Sequence, residues 1–247
     1  MSAHLRLESI VAGYGRGDIL RDLDLDIEAK AVTCLVGPNG AGKSTVLKLI
    51  SGLLRARRGL IALDGENIGG LSPAKVLARG VVHVAQDRSL FPLMTVWDNL
   101  LMGAHSLRDR QLIRGRAERI AHEFPLIHER RHERAGTLSG GQQKLVEIAR
   151  VLMLEPKLIM LDEPTMGLEP KARHLIFETV ARLNESGHTV LLVEQNARAG
   201  LAAAHWGAVL DGGTVALKGS ASQLLANPRM AELYLGGSVT RANGGDA

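Results

Sequence analysis

The chain has 247 residues, room for one large domain with a substantial core, and 45% of them are hydrophobic. No uncharged apolar run nears the roughly 18 residues that span a bilayer, and Met1 to Glu8 hold no apolar signal core, so a soluble cytoplasmic chain is expected. One cysteine rules out an internal disulfide, a net charge of +4 reads as generic basicity, and only 3% aromatics argues against a base-stacking surface, so no nucleic-acid partner is expected.

Residues 4 to 30 read as short alternating strands around a Gly13-Tyr14-Gly15-Arg16-Gly17 turn. A buried strand over Ala31 to Val36, with Cys34 as an inert core residue, feeds Gly37-Pro38-Asn39-Gly40-Ala41-Gly42-Lys43-Ser44-Thr45. This fits the P-loop pattern G-x-x-x-x-G-K-[ST], and the following helix, from Ser44, closes at Ser51-Gly52. In such a loop the glycines let backbone N–H groups face phosphate oxygens at a helix start. Lys43 then reaches the β- and γ-phosphates and the Ser44 hydroxyl ligates Mg²⁺, so ATP or GTP binding is expected. Leu60 to Leu63 and Asp64-Gly65 suggest a small hairpin, and Val81 to Ala85 is a short strand ending at Gln86.

From about Met94 to Ala135 the pattern is helical and charged. Its cluster of His105, Arg108, Arg110, Arg114, Arg116 and Arg119 reads as a solvated face. Leu138-Ser139-Gly140-Gly141-Gln142 then opens a helix with an apolar stripe at Leu145, Ile148, Ala149 and Leu152. Ser139 is a natural N-cap, and the two glycines leave backbone N–H groups open to a phosphate. This second anion-binding helix start has no nucleotide of its own, which points to a nucleotide shared between two chains.

Leu158 to Asp162 is an apolar strand that delivers Asp162 and Glu163 at its carboxyl end, the edge where open α/β sheets bind ligands. Asp162 suits a Mg²⁺ shell, and Glu163 is placed to polarise an attacking water. A helix over Pro170 to Asn184 and a strand over Thr189 to Val193 follow. His188 and His205 read as structural or exposed. The alternation predicts an α/β fold with a mostly parallel core sheet covered on both faces, an antiparallel β subdomain and an inserted helical subdomain at roughly 94–150. Residues 1–237 would form one domain and 238–247 a mobile tail.

These motifs, in this order, resemble the nucleotide-binding subunits of ABC transporters over residues 4 to 237. The resemblance implies a P-loop NTPase core of the RecA-like kind, an ATPase using ATP and Mg²⁺, and a place on the cytoplasmic face of the membrane. Leu138 to Gln142 matches the family signature, which meets the γ-phosphate held by an opposing subunit. Tyr14 matches the adenine-stacking aromatic. Gln86 matches the Q-loop glutamine that reaches Mg²⁺ and water, and its loop, with Ser89, Leu90, Phe91 and Pro92, would face the membrane subunits.

Two segments depart from the family pattern. Where a D-loop aspartate is usual the chain has Met166-Gly167-Leu168-Glu169, and Gln195 stands at the switch position in place of histidine. An amide can hydrogen-bond a γ-phosphate but cannot charge as imidazole does, so a sensor without pH-gated charge is expected. Val193-Glu194-Gln195-Asn196, Thr165-Met166-Gly167-Leu168 and Tyr234-Leu235-Gly236-Gly237 resemble one branch, the shorter ATPase subunit of branched-chain amino acid importers. Importers of urea, short amides and other small acids use similar subunits. The resemblance implies a second ATPase subunit, a paralogue or a second copy, permease subunits and, indirectly, a solute-binding protein. A soluble ABC ATPase acting on DNA or ribosomes commonly carries a coiled-coil insert or second ATPase domain, for which the chain has no room. A stand-alone P-loop kinase or GTPase would have no need of Leu138 to Gln142, and the branch-specific segments disfavour an exporter.

Overall fold

A computed structural model of the protein describes residues 3–235; the expected tail over 238–247 and Gly236-Gly237 lie outside the described residues. Two sheets organise the chain. The first is antiparallel and pairs β1 (Ala3–Ala12) with β2 (Leu20–Glu28) on one side and with β4 (Arg58–Leu63) on the other, and β4 in turn with β5 (Glu66–Asn67). The hairpin between β4 and β5 turns at Asp64 and Gly65, both at positive φ. The second sheet holds β3 (Val32–Val36), β6 (Val81–Val84), β7 (Leu158–Asp162), β8 (Thr189–Glu194), β9 (Trp206–Asp211) and β10 (Thr214–Ser220). Its order is β10-β9-β3-β8-β7-β6, parallel throughout except for β10 on β9.

The core strands are buried on both faces, which explains their unbroken apolar runs. Successive residues enter different cores because side chains alternate along a strand. On β7, Ile159 and Leu161 join one cluster while Leu158 and Met160 join the other; on β8, Val190 and Leu192 separate from Leu191 and Val193 in the same way. One cluster packs α1 (Lys43–Ile50) between the two sheets, through Val46, Leu47 and Ile50. The other carries the remaining long helices.

Of the eight segments α2 (Pro73–Ala78) to α9 (Ala221–Leu225), four sit between β6 and β7: α3 (Val96–Met102), α4 (Arg110–Glu123), α5 (Pro125–Glu129) and α6 (Gly140–Leu152). α7 (Pro170–Glu185) and α8 (Ala197–Ala202) flank β8, and α10 (Pro228–Leu235) ends the described chain. The arginine cluster is not wholly a solvated face. Arg116 on α4 is largely buried and donates to the Met153 carbonyl at 2.9 Å, and with Arg119 it pairs with Glu155 beyond α6. These arginines fasten α4 to the end of α6.

Candidate functional site

The P-loop is the link between β3 and α1. Gly42 has φ 108°, a conformation L side chains rarely adopt, and it turns the chain into the helix. Lys43 opens α1 and is only 5% exposed. Its ammonium donates to the Gly37 and Pro38 carbonyls at 2.9 and 3.2 Å and lies 3.4 Å from a Glu163 carboxylate oxygen. β7 brings Asp162 to the same end of the sheet. Glu163, the next residue, sits at φ 44°, a strained setting for a non-glycine residue, held by a 2.9 Å bond from its N–H to the Val193 carbonyl on β8.

Burial pushes the Asp162 carboxyl up, helped by the Glu163 charge and opposed by Lys43 and by Ser44. Asp162 Oδ1 is buried without a hydrogen-bond partner. An orphaned carboxylate oxygen beside a serine hydroxyl fits Mg²⁺, which takes one or two protein oxygens and completes its shell with water and phosphate. Tyr14 is 48% exposed, with the Lys48 ammonium of α1 5.5 Å from its ring centroid. It therefore stands as an open aromatic platform beside the P-loop helix.

The second helix start differs from its sequence reading in two respects. Ser139 caps α6 through a reciprocal box: its hydroxyl accepts from Gln142 N–H at 3.4 Å, and Gln142 Oε1 accepts from Ser139 N–H at 2.9 Å. The Gln142 carbonyl oxygen is thus engaged in the cap. Gly141 is buried, and a Cβ there would lie 2.6 Å from that of Ala172 on α7. Its missing side chain lets two helices approach, so this glycine serves packing against α7 as well as the helix start. Ser139, Gly140 and Gly141 line a cleft of about 390 Å³ with Gln86, Met166 and Glu169, and no P-loop residue lines it. Gln86 donates to the Met166 sulfur at 2.9 Å in that cleft. Gln195 is exposed at the end of β8, followed by Asn196 capping α8.

Two groups of functional interest escaped the sequence reading. Thr165 donates to buried Glu194 at 2.8 Å, joining the segment after Glu163 to the residue before Gln195, and burial raises the Glu194 carboxyl. On α6, Lys144 and Glu147 form a buried pair at 2.6 Å. Both lie off the apolar stripe of Leu145, Ile148, Ala149 and Leu152, and nothing in the local pattern marks them as buried. His188 Nδ1 donates to the Pro156 carbonyl at 3.1 Å, and His205 accepts from Val32 N–H, so both are structural. Cys34 is fully buried and its thiol is pushed up by that burial, then by Glu194.

Residues 20–166 match the family model described as ABC transporter. A high-affinity branched-chain amino acid transport ATP-binding protein, BraG of Pseudomonas aeruginosa, is 36% identical over 94% of this chain and 100% of its own. A lipopolysaccharide export system ATP-binding protein, LptB of Haemophilus influenzae, is 32% identical over 94% of this chain and 97% of its own. Among solved structures, the ADP conformation of an ATP-binding cassette of an ABC transporter superposes with a TM-score of 0.88 at 31% identity, covering 96% of this chain and 100% of that one. A dimeric cassette in a post-hydrolysis state bound to ADP and Pi gives 0.76 at 26% identity, covering 88% and 98%.

Proposed function

The chain belongs to the ABC transporter family and is an ATP-hydrolysing subunit of a transporter, and on that footing we propose that it energises the import of branched-chain amino acids. The observation that carries the catalytic reading is the Lys43 ammonium, held between P-loop carbonyls and Glu163 at the carboxyl end of β7. A nucleotide phosphate competes for that ammonium with stronger charge than two carbonyls offer. Moving Lys43 onto phosphate frees Glu163 to accept a proton from water attacking the γ-phosphorus, while the leaving ADP oxygen keeps its charge against Lys43 and the α1 start. Mg²⁺, held by Ser44 and Asp162 with Gln86 brought in, would neutralise charge on the phosphates.

The proposed complex pairs the P-loop of one subunit with the Ser139–Gly141 start of another, with Tyr14 against adenine and Gln195 sensing the γ-phosphate. Permease subunits would lie at the Phe91 loop, and a solute-binding protein would supply cargo. The Glu194-Gln195-Asn196 segment and the higher identity of the branched-chain relative favour amino acid import; lipopolysaccharide export is the second reading, supported by the relative at 32%. No helix of the described residues is long and apolar enough to cross a membrane, and peripheral attachment at the cytoplasmic face is part of the proposal.

Uptake of labelled leucine by the native cell, with redundant leucine systems removed, tests it. Lys43→Ala should abolish uptake, and excess urea should leave wild-type uptake unchanged. Full uptake in the variant would sink the branched-chain assignment.

A further inference from the structure

Three charged side chains of α6, spaced three residues apart, converge on a single loop. Glu147, 1% exposed, accepts from the Ser89 N–H at 2.5 Å and from its hydroxyl at 3.2 Å. Lys144 pairs with Glu147 and donates to the carbonyls of Ala85 and Gln86 at 3.2 and 3.5 Å. Arg150 donates to the Ser89 carbonyl at 2.8 Å and to its hydroxyl. Farther along, Asn99 of α3 accepts from Phe91 N–H at 2.8 Å and donates to the Phe91 carbonyl at 3.0 Å. The segment from Ala85 to Phe91 is therefore fastened to the helices at both ends. Burying an ion pair brings little net stability, because desolvation offsets the Coulomb attraction. The hydrogen bonds these charged groups make across to Ser89, Ala85 and Gln86 are what fix the loop's geometry relative to α6.

That geometry has a consequence for both nucleotides. Gln86 belongs to the loop and is proposed to serve this chain's own nucleotide, whereas Ser139 and Gly140 open α6 and are proposed to face the partner's. We propose that Glu147 is a positioning residue that makes the Gln86 loop move with α6 as one body, so that engagement of one nucleotide biases engagement of the other. Without Glu147 the Lys144 charge has no buried counter-ion and the Ser89 N–H no acceptor. The loop is then tied to α6 by Lys144 and Arg150 alone, a looser hold on its position relative to the helix start. This inference rests on the two-subunit ATPase reading above.

The test measures steady-state ATP hydrolysis against ATP concentration, together with equilibrium binding of ATP to the single subunit, for wild type, Glu147→Ala, Glu147→Gln and Arg150→Ala. Expected for Glu147→Ala is subunit ATP affinity within about twofold of wild type, a kcat lower by roughly tenfold or more, and a Hill coefficient falling to about 1. Glu147→Gln keeps an acceptor for Ser89 and should lie between wild type and alanine. Arg150→Ala, at a partly exposed position, removes bonds to the same serine without emptying a buried site. It should lower the Hill coefficient in the same direction should Glu147→Ala fail to fold. Wild-type kcat and cooperativity in folded variants would overturn the proposal, as would a loss of subunit ATP affinity matching the loss of kcat. Hydrolysis that survives Lys43→Ala would instead condemn the ATPase site itself, a distinguishable failure.

Discussion

Glu194 carries a buried carboxylate directly behind the exposed Gln195, tied to Thr165. Its raised pKa, caused first by burial, means that folding disfavours the ionised form. A carboxyl raised on folding contributes stability that is fully present below its unfolded pKa and is lost as pH rises through the folded value. Glu194→Gln removes that loss and keeps an oxygen for Thr165 to bond. The variant should therefore melt at a higher temperature than wild type near neutral pH, and the gap should close as pH falls into the ordinary carboxylate range. Calorimetric melts at several pH values would show it; a variant that melts lower at every pH would mean the carboxylate is net stabilising. Single residues of this kind were the least legible in the sequence. The run Val193-Glu194-Gln195 places Glu194 at the end of a buried strand, but only the fold brings Thr165, from another strand's end, to its oxygen.

Helix α6 shows what can be read of an element and what cannot. Its start, its Ser139 cap and its stripe of Leu145, Ile148, Ala149 and Leu152 follow from local chemistry and period. Lys144 and Glu147, off that stripe, are buried against the Gln86 loop, and charged residues on a helix give no sign of whether water or a partner loop satisfies them. Gly141 is similar: its role is set by Ala172, a residue of α7. Gly141→Ala should drive α6 from α7 and cost about 1–3 kcal/mol, as overpacking does. Gly140→Ala would meet the flexible ends of Leu168 at 3.3 Å and Arg88 at 3.7 Å and should cost less. Urea unfolding of the two variants compares them, and equal midpoints would remove close helix approach as the reason for glycine. β9 and β10 were not expected at all. β10 is half exposed along its length, so its strand state comes from pairing with β9 rather than from its own pattern.

At the scale of the molecule, the P-loop and the α6 start proposed to face a second phosphate lie in separate places, and the proposed working unit is larger than one chain. Glu163→Gln removes the negative charge facing Lys43 while keeping the side chain's shape. It should bind ATP, hydrolyse it on the order of 10²-fold more slowly, and accumulate as a dimer that light scattering detects only with ATP present. A variant that stays monomeric with bound ATP would count against the shared-nucleotide arrangement. The sheet itself adds a different constraint. β3, which feeds the P-loop, is flanked on both sides by strands from late in the chain, β8 and β9, and Val32 donates to His205, 173 residues onward. A growing polypeptide thus makes its phosphate loop early but cannot brace it until most of the remaining sequence has emerged, on the order of ten seconds or more later at usual synthesis rates. Until then the apolar β3 has no neighbours in the sheet. This order of assembly leaves the phosphate loop unbraced until β8 and β9 have both been made.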